Sequence, residues 1–317
     1  MQPSELHVIA VFFNHNRRVN PRLNFERFRN HIQDLGATLH IVELVRGKLD
    51  FEVTESNNPY HTQLRTKSEF FQKENLVDIG FKNAIRLHPE LEYLAWIDAD
   101  IQFFNPNIIM DTLDQLNRYD VVQMWSMSCD LGPDTHPMTY PGPDSAQVAR
   151  SFGYCYVNQL DLPSNTKRYG YEYHTGYAWA IRREIWEQID GLYEHSIVGS
   201  ADNHMAWAFI GKIGWGMEKG VTGPFQEDVT KWCKNAAKIV NGNLGYVDGL
   251  IHHHWHGAKQ DRGYIKRWTV LIDNEYDPNL DLFKDIHGLL HLTNRNPKLQ
   301  FDLRTYMRSR NDDRNVL

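Results

Sequence analysis

Cysteine is scarce in this chain, as are long apolar runs, repeats and any strong excess of one charge. The three cysteines, Cys129, Cys155 and Cys233, are odd in number and irregularly spaced, which gives neither a disulfide framework nor a zinc-ligand pattern and suits a reducing, cytoplasmic setting. The longest early apolar run, Val8 to Phe13, is too short for a signal-peptide core or a membrane span, and no charged leader precedes it. A net charge of −6 leaves no global electrostatic footprint for nucleic acid or an anionic membrane. What remains is a chain of 317 residues with ordinary apolar and charged fractions and a generous supply of Trp, Tyr and His. That length accommodates two domains or one large α/β domain.

The elements alternate. LHVIAVFFN reads as a strand ending at Asn14, Phe25 to Leu35 as a helix stopped by Gly36, and ATLHIVELV as a second strand. Asn57 to Arg65 is polar and turn-rich, and Thr66 to Glu69 has capping-box spacing for a helix running to His88-Pro89. Strands at Tyr93 and at Val121 to Trp125 flank a helix that opens at Pro106. Such βαβ order predicts a mixed, mostly parallel central sheet flanked by helices. Ser128 to Leu162, with Pro141-Gly142-Pro143, reads as a long loop, a feature often functional in compact domains.

In YLAWIDADIQFFN, Asp98 and Asp100 interrupt an apolar run. Residues i and i+2 of a strand share a face, so the two carboxylates can converge at a sheet edge, where their repulsion invites a divalent cation or a proton. The alternative is a turn with aspartates bonded to local backbone. IHHHWHG, if extended, puts His252, His254 and His256 on one face; His256, then His254, are the preferred ligands, and mixed carboxylate and imidazole donors lean toward Mn2+ over Mg2+. Thr175 to Ala180 carries small residues at alternate positions, including Gly176, which suits either close ligand approach or close strand packing. Asp202, after Gly199-Ser200-Ala201, is either a first-turn helix charge or a general base.

Taken in order from about residue 5 to about residue 270, these segments resemble glycosyltransferases of the GT-A (Rossmann-like) fold. More narrowly, WIDAD, GYAWAIRRE, VGSAD and HWHG look like a group of bacterial and phage enzymes related to a galactosyltransferase-like branch. The resemblance implies a metal-dependent enzyme of the cytoplasm, or of the host cytoplasm if phage-encoded. It moves a sugar from a nucleotide-sugar donor, with UDP as one candidate carrier, to a glycan or other hydroxyl acceptor. It implies metal ligation by Asp98 and Asp100 with a late histidine, His254 or His256; Asp100 is the preferred direct ligand, and Asp98 has the alternative role of holding the ribose or a metal-bound water. Donor contacts are expected at Asn14, Arg65, Lys73, Asp98, Gly176 and Trp179, with Arg65 and Lys73 equally readable as surface cations. Asp202 is the expected base of an inverting reaction, although Ala201 stands where the motif commonly has glutamate. The implied division is a nucleotide-sugar-binding half at 1–125, an acceptor-binding and catalytic half at 126–260, and an extension at 261–317.

Three other functions fit parts of this pattern. A lectin-like relative would bind carbohydrate and release no nucleoside diphosphate. A nucleotidyltransferase or metal phosphohydrolase also uses paired aspartates but leaves the AWA segment without a purpose. A phage-type enzyme acting on hydroxymethylated DNA bases is favoured by six basic against three acidic residues from Arg295 to Arg314 and disfavoured by the acidic net charge.

Overall fold

The apolar run near the start becomes β1 (Leu6–Phe12), buried on both faces as its mostly hydrophobic sequence requires. The computed structural model describes residues 1–138, 148–163, 173–264 and 266–313. After β1 the chain turns through α1 (Val19–Asp34) into β2 (Thr38–Arg46), and β1 and β2 pair in parallel from His7–Thr38 to Phe12–Glu43. The polar 57–65 stretch is more than a turn: His61–Thr66 forms β3, parallel to β2 at the edge of the sheet, where half-exposed side chains are tolerated.

The expected capping box is also corrected. Thr66 closes β3, its hydroxyl accepts from the Ser68 amide, and Glu69 is buried under Arg46, Arg304 and Arg308. The helix α2 (Lys73–Leu87) therefore starts later, at Lys73. It lies so close to the sheet that a Cβ on Gly80 would sit 2.5 Å from the Ile9 side chain.

Next come β4 (Tyr93–Ile97), β5 (Ile101–Phe103), α3 (Ile108–Leu116) and β6 (Val121–Gln123). The 128–162 region is not one loop: β7 (Met127–Asp130), β8 (Val148–Ser151) and α4 (Phe152–Val157) occupy its described parts. These elements are too short for a periodicity to show. Pro141 to Pro143 lie outside the described residues. The chain continues through β9 (Tyr173–His174), β10 (Ala178–Arg182), α5 (Arg183–Gln188), α6 (Ala201–Phe209), α7 (Gly223–Val240), β11 (Leu244–Tyr246) and β12 (Leu250–His253). It ends with α8 (Arg267–Ile272), α9 (Pro278–Asp281), the hairpin β13 (Leu282–Lys284) and β14 (Leu290–Leu292), and α10 (Pro297–Ser309).

The architecture is mixed α/β. Among the described residues the central sheet has the order β11-β6-β10-β4-β1-β2-β3, and only β10 runs antiparallel to its neighbours. Helices cover both faces, burying Phe70, Leu76, Phe81, Trp96 and Trp179 on one side and Phe25, Phe28, Ile97, Ile109 and Leu113 on the other. A second sheet, β5-β12-β7-β8-β9, lies beyond the ends of β4 and β6. Its register sets His253 at the end of β12 between Ile101 of β5 and Asp130 of β7. The basic tail is an anchor: Arg304 and Arg308 bind Glu69, Arg295 binds Asp281 and Arg310 binds Asp312. Arg314 lies outside the described residues. No helix among the described residues is long and apolar enough to cross a membrane.

Candidate active site

A cavity of about 900 Å³ opens beyond the C-terminal ends of β1 and β4, the edge where ligands of parallel sheets bind. Asn14, Lys73, Asp98, Asp100, Gly176, Asp202 and His256 all line it. Arg65 and Trp179 do not.

The strand β4 stops at Ile97, and Asp98 to Asp100 form a turn closed by the Ile101 amide on the Asp98 carbonyl. The two carboxylates therefore part. Asp98 accepts from Lys73 Nζ at 3.0 Å, while Asp100 Oδ2 meets His256 Nε2 at 2.9 Å and His253 Nε2 at 3.5 Å. The two Nε2 atoms are 3.1 Å apart. Atoms about 2.1 Å from a shared ion lie about 3.0 Å apart at a right angle and about 3.4 Å apart at a tetrahedral one, so this triangle fits one divalent cation. Asp100 Oδ1 is buried without a protein partner, leaving acceptor capacity on the same carboxylate.

This group corrects two expectations of geometry. His253 takes the place given to His254, because β12 ends at His253 and the chain then bends, so the i, i+2 alternation fails and His256 swings back beside His253. The His254 ring is not in the cluster; its amide bonds the Asp100 carbonyl, and burial with the nearby Arg27 lowers its imidazole to about 4. Asp98 likewise falls outside the cluster.

Asp202 is the second residue of α6. Ser200, in the left-handed region with φ 74°, holds the cap position, so the Asp202 carboxylate is free of capping duty and accepts from the Thr175 hydroxyl at 3.2 Å. Gly176 packs closely here: a Cβ on it would lie 3.0 Å from Asp202 Oδ2 and 2.9 Å from His174 Cε1, so one of those side chains would have to shift. Burial would raise Asp202, but Lys73, His174 and Arg267 override it and hold the carboxyl below the usual range. Lys73, the first residue of α2, is raised by Asp98, Glu74 and Asp202 against its burial and stays charged. Burial pushes Asp98 up despite Lys73, whereas at Asp100 the two imidazoles outweigh burial and keep the carboxyl well below its usual range.

Asn14 lines the cavity while its side chain folds the 14–18 loop, donating to the Arg18 carbonyl and accepting from the Arg18 amide, both at 2.8 Å. Arg65 points elsewhere; it donates to the Gly47 and Leu49 carbonyls and covers the Phe51 ring. Trp179 is a core residue, stacked on Trp96 with its Nε1 donating to the Thr175 carbonyl. Alternation along β10 turns it to the α2 side of the sheet, away from the cavity.

Several cavity residues had no readable signal. His15 is buried with both ring nitrogens unpartnered, and burial lowers it to about 4. Arg262, Arg267 and Arg310 reach the cavity from the C-terminal segment, where no motif singles them out. Arg262 donates to His256 Nε2 at 2.5 Å, the same nitrogen that faces Asp100, so this guanidinium occupies the rim of the cluster and would have to yield that nitrogen to a bound ion; Arg267 donates to the Ser200 hydroxyl oxygen.

No protein-family model matches the chain. Geranyl diphosphate 2-C-methyltransferases from Streptomyces coelicolor and Streptomyces lasalocidi match over 42 and 46 residues at 45% and 46% identity. These matches cover 13% of this chain and 14% and 15% of those enzymes. Among solved structures, the catalytic domain of Drosophila beta1,4-galactosyltransferase 7 with xylobiose is similar at 17% identity and a TM-score of 0.31, covering 63% of this chain and 59% of that one. A glycosyltransferase of PBCV-1 capsid glycosylation is similar at 10% and 0.33, covering 82% and 97%. Mannosyl-3-phosphoglycerate synthase from Rubrobacter xylanophilus is similar at 10% and 0.34, covering 91% and 83%. At these overlaps none of them fixes the family of the chain.

Proposed function

We propose that this protein is a metal-dependent glycosyltransferase that moves a sugar from a nucleotide-sugar donor to a hydroxyl acceptor with inversion at the anomeric carbon. One observation carries the reading: a carboxylate–bis-imidazole cluster and a separate ionised carboxylate, Asp202, share one cavity at the sheet edge, with Lys73 between Asp98 and Asp202. A lectin-like protein has no use for that pairing.

Asp100, His253 and His256 would hold the ion. When bound, Mn2+ would offset the charge growing on the leaving diphosphate as a Lewis acid. Lys73 adds a fixed cation beside Asp98, which is free of the cluster to accept from a sugar or ribose hydroxyl. The Asp202 carboxylate accepts the acceptor's O–H proton as that oxygen bonds the anomeric carbon; the carbon–phosphate-oxygen bond breaks and its electron pair leaves with the diphosphate. Gly176, having no side chain, leaves the Asp202 carboxylate and the His174 ring undisplaced at the cavity wall. A glycan or other small hydroxyl compound suits this site better than a DNA base, because Arg295, Arg304, Arg308 and Arg310, tail cations among the described residues, are engaged with carboxylates of the chain itself.

The test is a panel of nucleotide-sugars with Mn2+, read by release of nucleoside diphosphate and by thermal shift. With the active donor, Asp202→Asn keeps the fold and donor affinity and transfers sugar about 10²- to 10⁴-fold more slowly. Near-normal turnover in that variant, or a product retaining the donor configuration, removes Asp202 as base. No diphosphate release with any donor removes the enzyme reading.

A further inference from the structure

Beyond the ion's immediate ligands, we infer that Asp130 is a positioning residue for the metal centre, acting through His253; this rests on the metal-centre reading above. Asp130 ends β7 and His253 ends β12, paired in parallel register, so the two side chains meet at the same rim of the second sheet. His253 Nδ1 lies 2.7 Å from Asp130 Oδ1, and the two side chains are only 8% and 11% exposed. A carboxylate accepts only, so Nδ1 carries a proton toward Asp130, and Nε2, which faces Asp100 and His256, is the nitrogen left to exchange its proton for an ion. The opposite tautomer would aim a hydrogen at the ion.

Asp130 is itself held. The Tyr177 hydroxyl donates to the same Oδ1 at 3.3 Å. Tyr177 has φ 79°, a conformation that tyrosine seldom adopts, and its ring stacks on His174 at 4.0 Å and lies 4.9 Å from the His253 ring. The turn that leads into β10 thus braces the Asp130–His253 pair from the side of the cavity that carries Asp202.

The experiment is isothermal titration of the metal-free full chain with Mn2+. Asp130→Asn keeps the shape but puts an amide, which can donate as well as accept, where an acceptor-only carboxylate stood, so the Nδ1–H tautomer is no longer imposed; the dissociation constant is expected to rise about 10- to 100-fold, with the melting temperature of the metal-free protein measured alongside to confirm folding. In a His253→Ala background the same substitution is expected to change affinity less than about twofold, because its route to the ion is already gone. Tyr177→Phe, which deletes one donor to Asp130, is expected to weaken Mn2+ by about two- to tenfold.

An Asp130→Asn affinity within about twofold of wild type overturns the inference, and so does an equal loss in both backgrounds, which marks a general structural role. If Asp130→Asn does not fold, an unchanged affinity in Tyr177→Phe overturns it. Absence of saturable Mn2+ binding by the wild-type chain overturns the metal-centre reading and the inference together, whereas wild-type binding with an unaltered Asp130→Asn variant overturns the inference alone.

Discussion

Replacing His204 by phenylalanine should make the protein less sensitive to acid by an amount the structure sets. His204 lies on α6, 2% exposed, with Tyr193, Phe225 and Trp268 rings around it at centroid distances of 6.0, 6.3 and 5.9 Å, and its Nε2 has no partner. Burial lowers it from 6.5 to about 4, with Asp202 raising and Arg267 lowering it further. The folded imidazole is thus harder to protonate than the unfolded one. Stability is lost as pH falls below about 6.5, and the loss ends near the folded value of about 4. At pH 5 the unfolded state gains RT ln(1 + 10^1.5), about 2 kcal/mol, against about 0.2 kcal/mol at pH 7.

Phenylalanine cannot protonate, so the stability of His204→Phe relative to wild type should rise by about 2 kcal/mol between pH 7 and pH 5. Burial also pushes Glu74 up to about 7 and Asp78 up to about 8, with the opposite slope, but both act in the two proteins alike and cancel in the difference. Urea unfolding of the metal-free proteins, followed by tryptophan fluorescence at pH 7, 6 and 5, measures it. Parallel pH dependence of the two proteins, within about 0.5 kcal/mol, would refute the reasoning by showing that His204 takes a proton in place.

Two further substitutions separate site from scaffold. Gly176→Ala forces the Asp202 carboxylate or the His174 ring aside; initial-rate assays should record at least about tenfold slower sugar transfer, with a melting temperature within a few degrees of wild type. Trp179→Phe orphans the Thr175 carbonyl and loosens the stack on Trp96, which should cost about 1–3 kcal/mol in urea unfolding while donor affinity by titration stays within about twofold; a large loss of affinity with unchanged stability would return Trp179 to the binding site.

The local sequence carried much of the frame. Mostly apolar runs bounded by polar turns marked β1, β2 and β4, and amphipathic spacing marked the helices between them, because burial on both faces of a parallel strand and on one face of a helix writes itself into consecutive residues. The same locality put Asp98 and Asp100 at the end of a strand and Asp202 at the head of a helix. It failed where the chain stops being periodic. Alternation predicted His254 for the cluster, but β12 ends at His253 and the bend after it replaces 254 with 253. The spacing of Thr66 and Glu69 imitated a helix cap, yet Glu69 is claimed by arginines more than 200 residues away.

Composition, βαβ order and the positions of the three aspartates were therefore determined by the sequence itself, since each follows from neighbours within a few residues. The tertiary structure decided which imidazoles face Asp100, that Asp130 stands behind His253, that Trp179 belongs to the core, and that the basic tail anchors onto Glu69 and brings Arg310 to the cavity. Those outcomes depend on strand register and on charge pairs between distant segments, and neither is encoded in the spacing of adjacent residues.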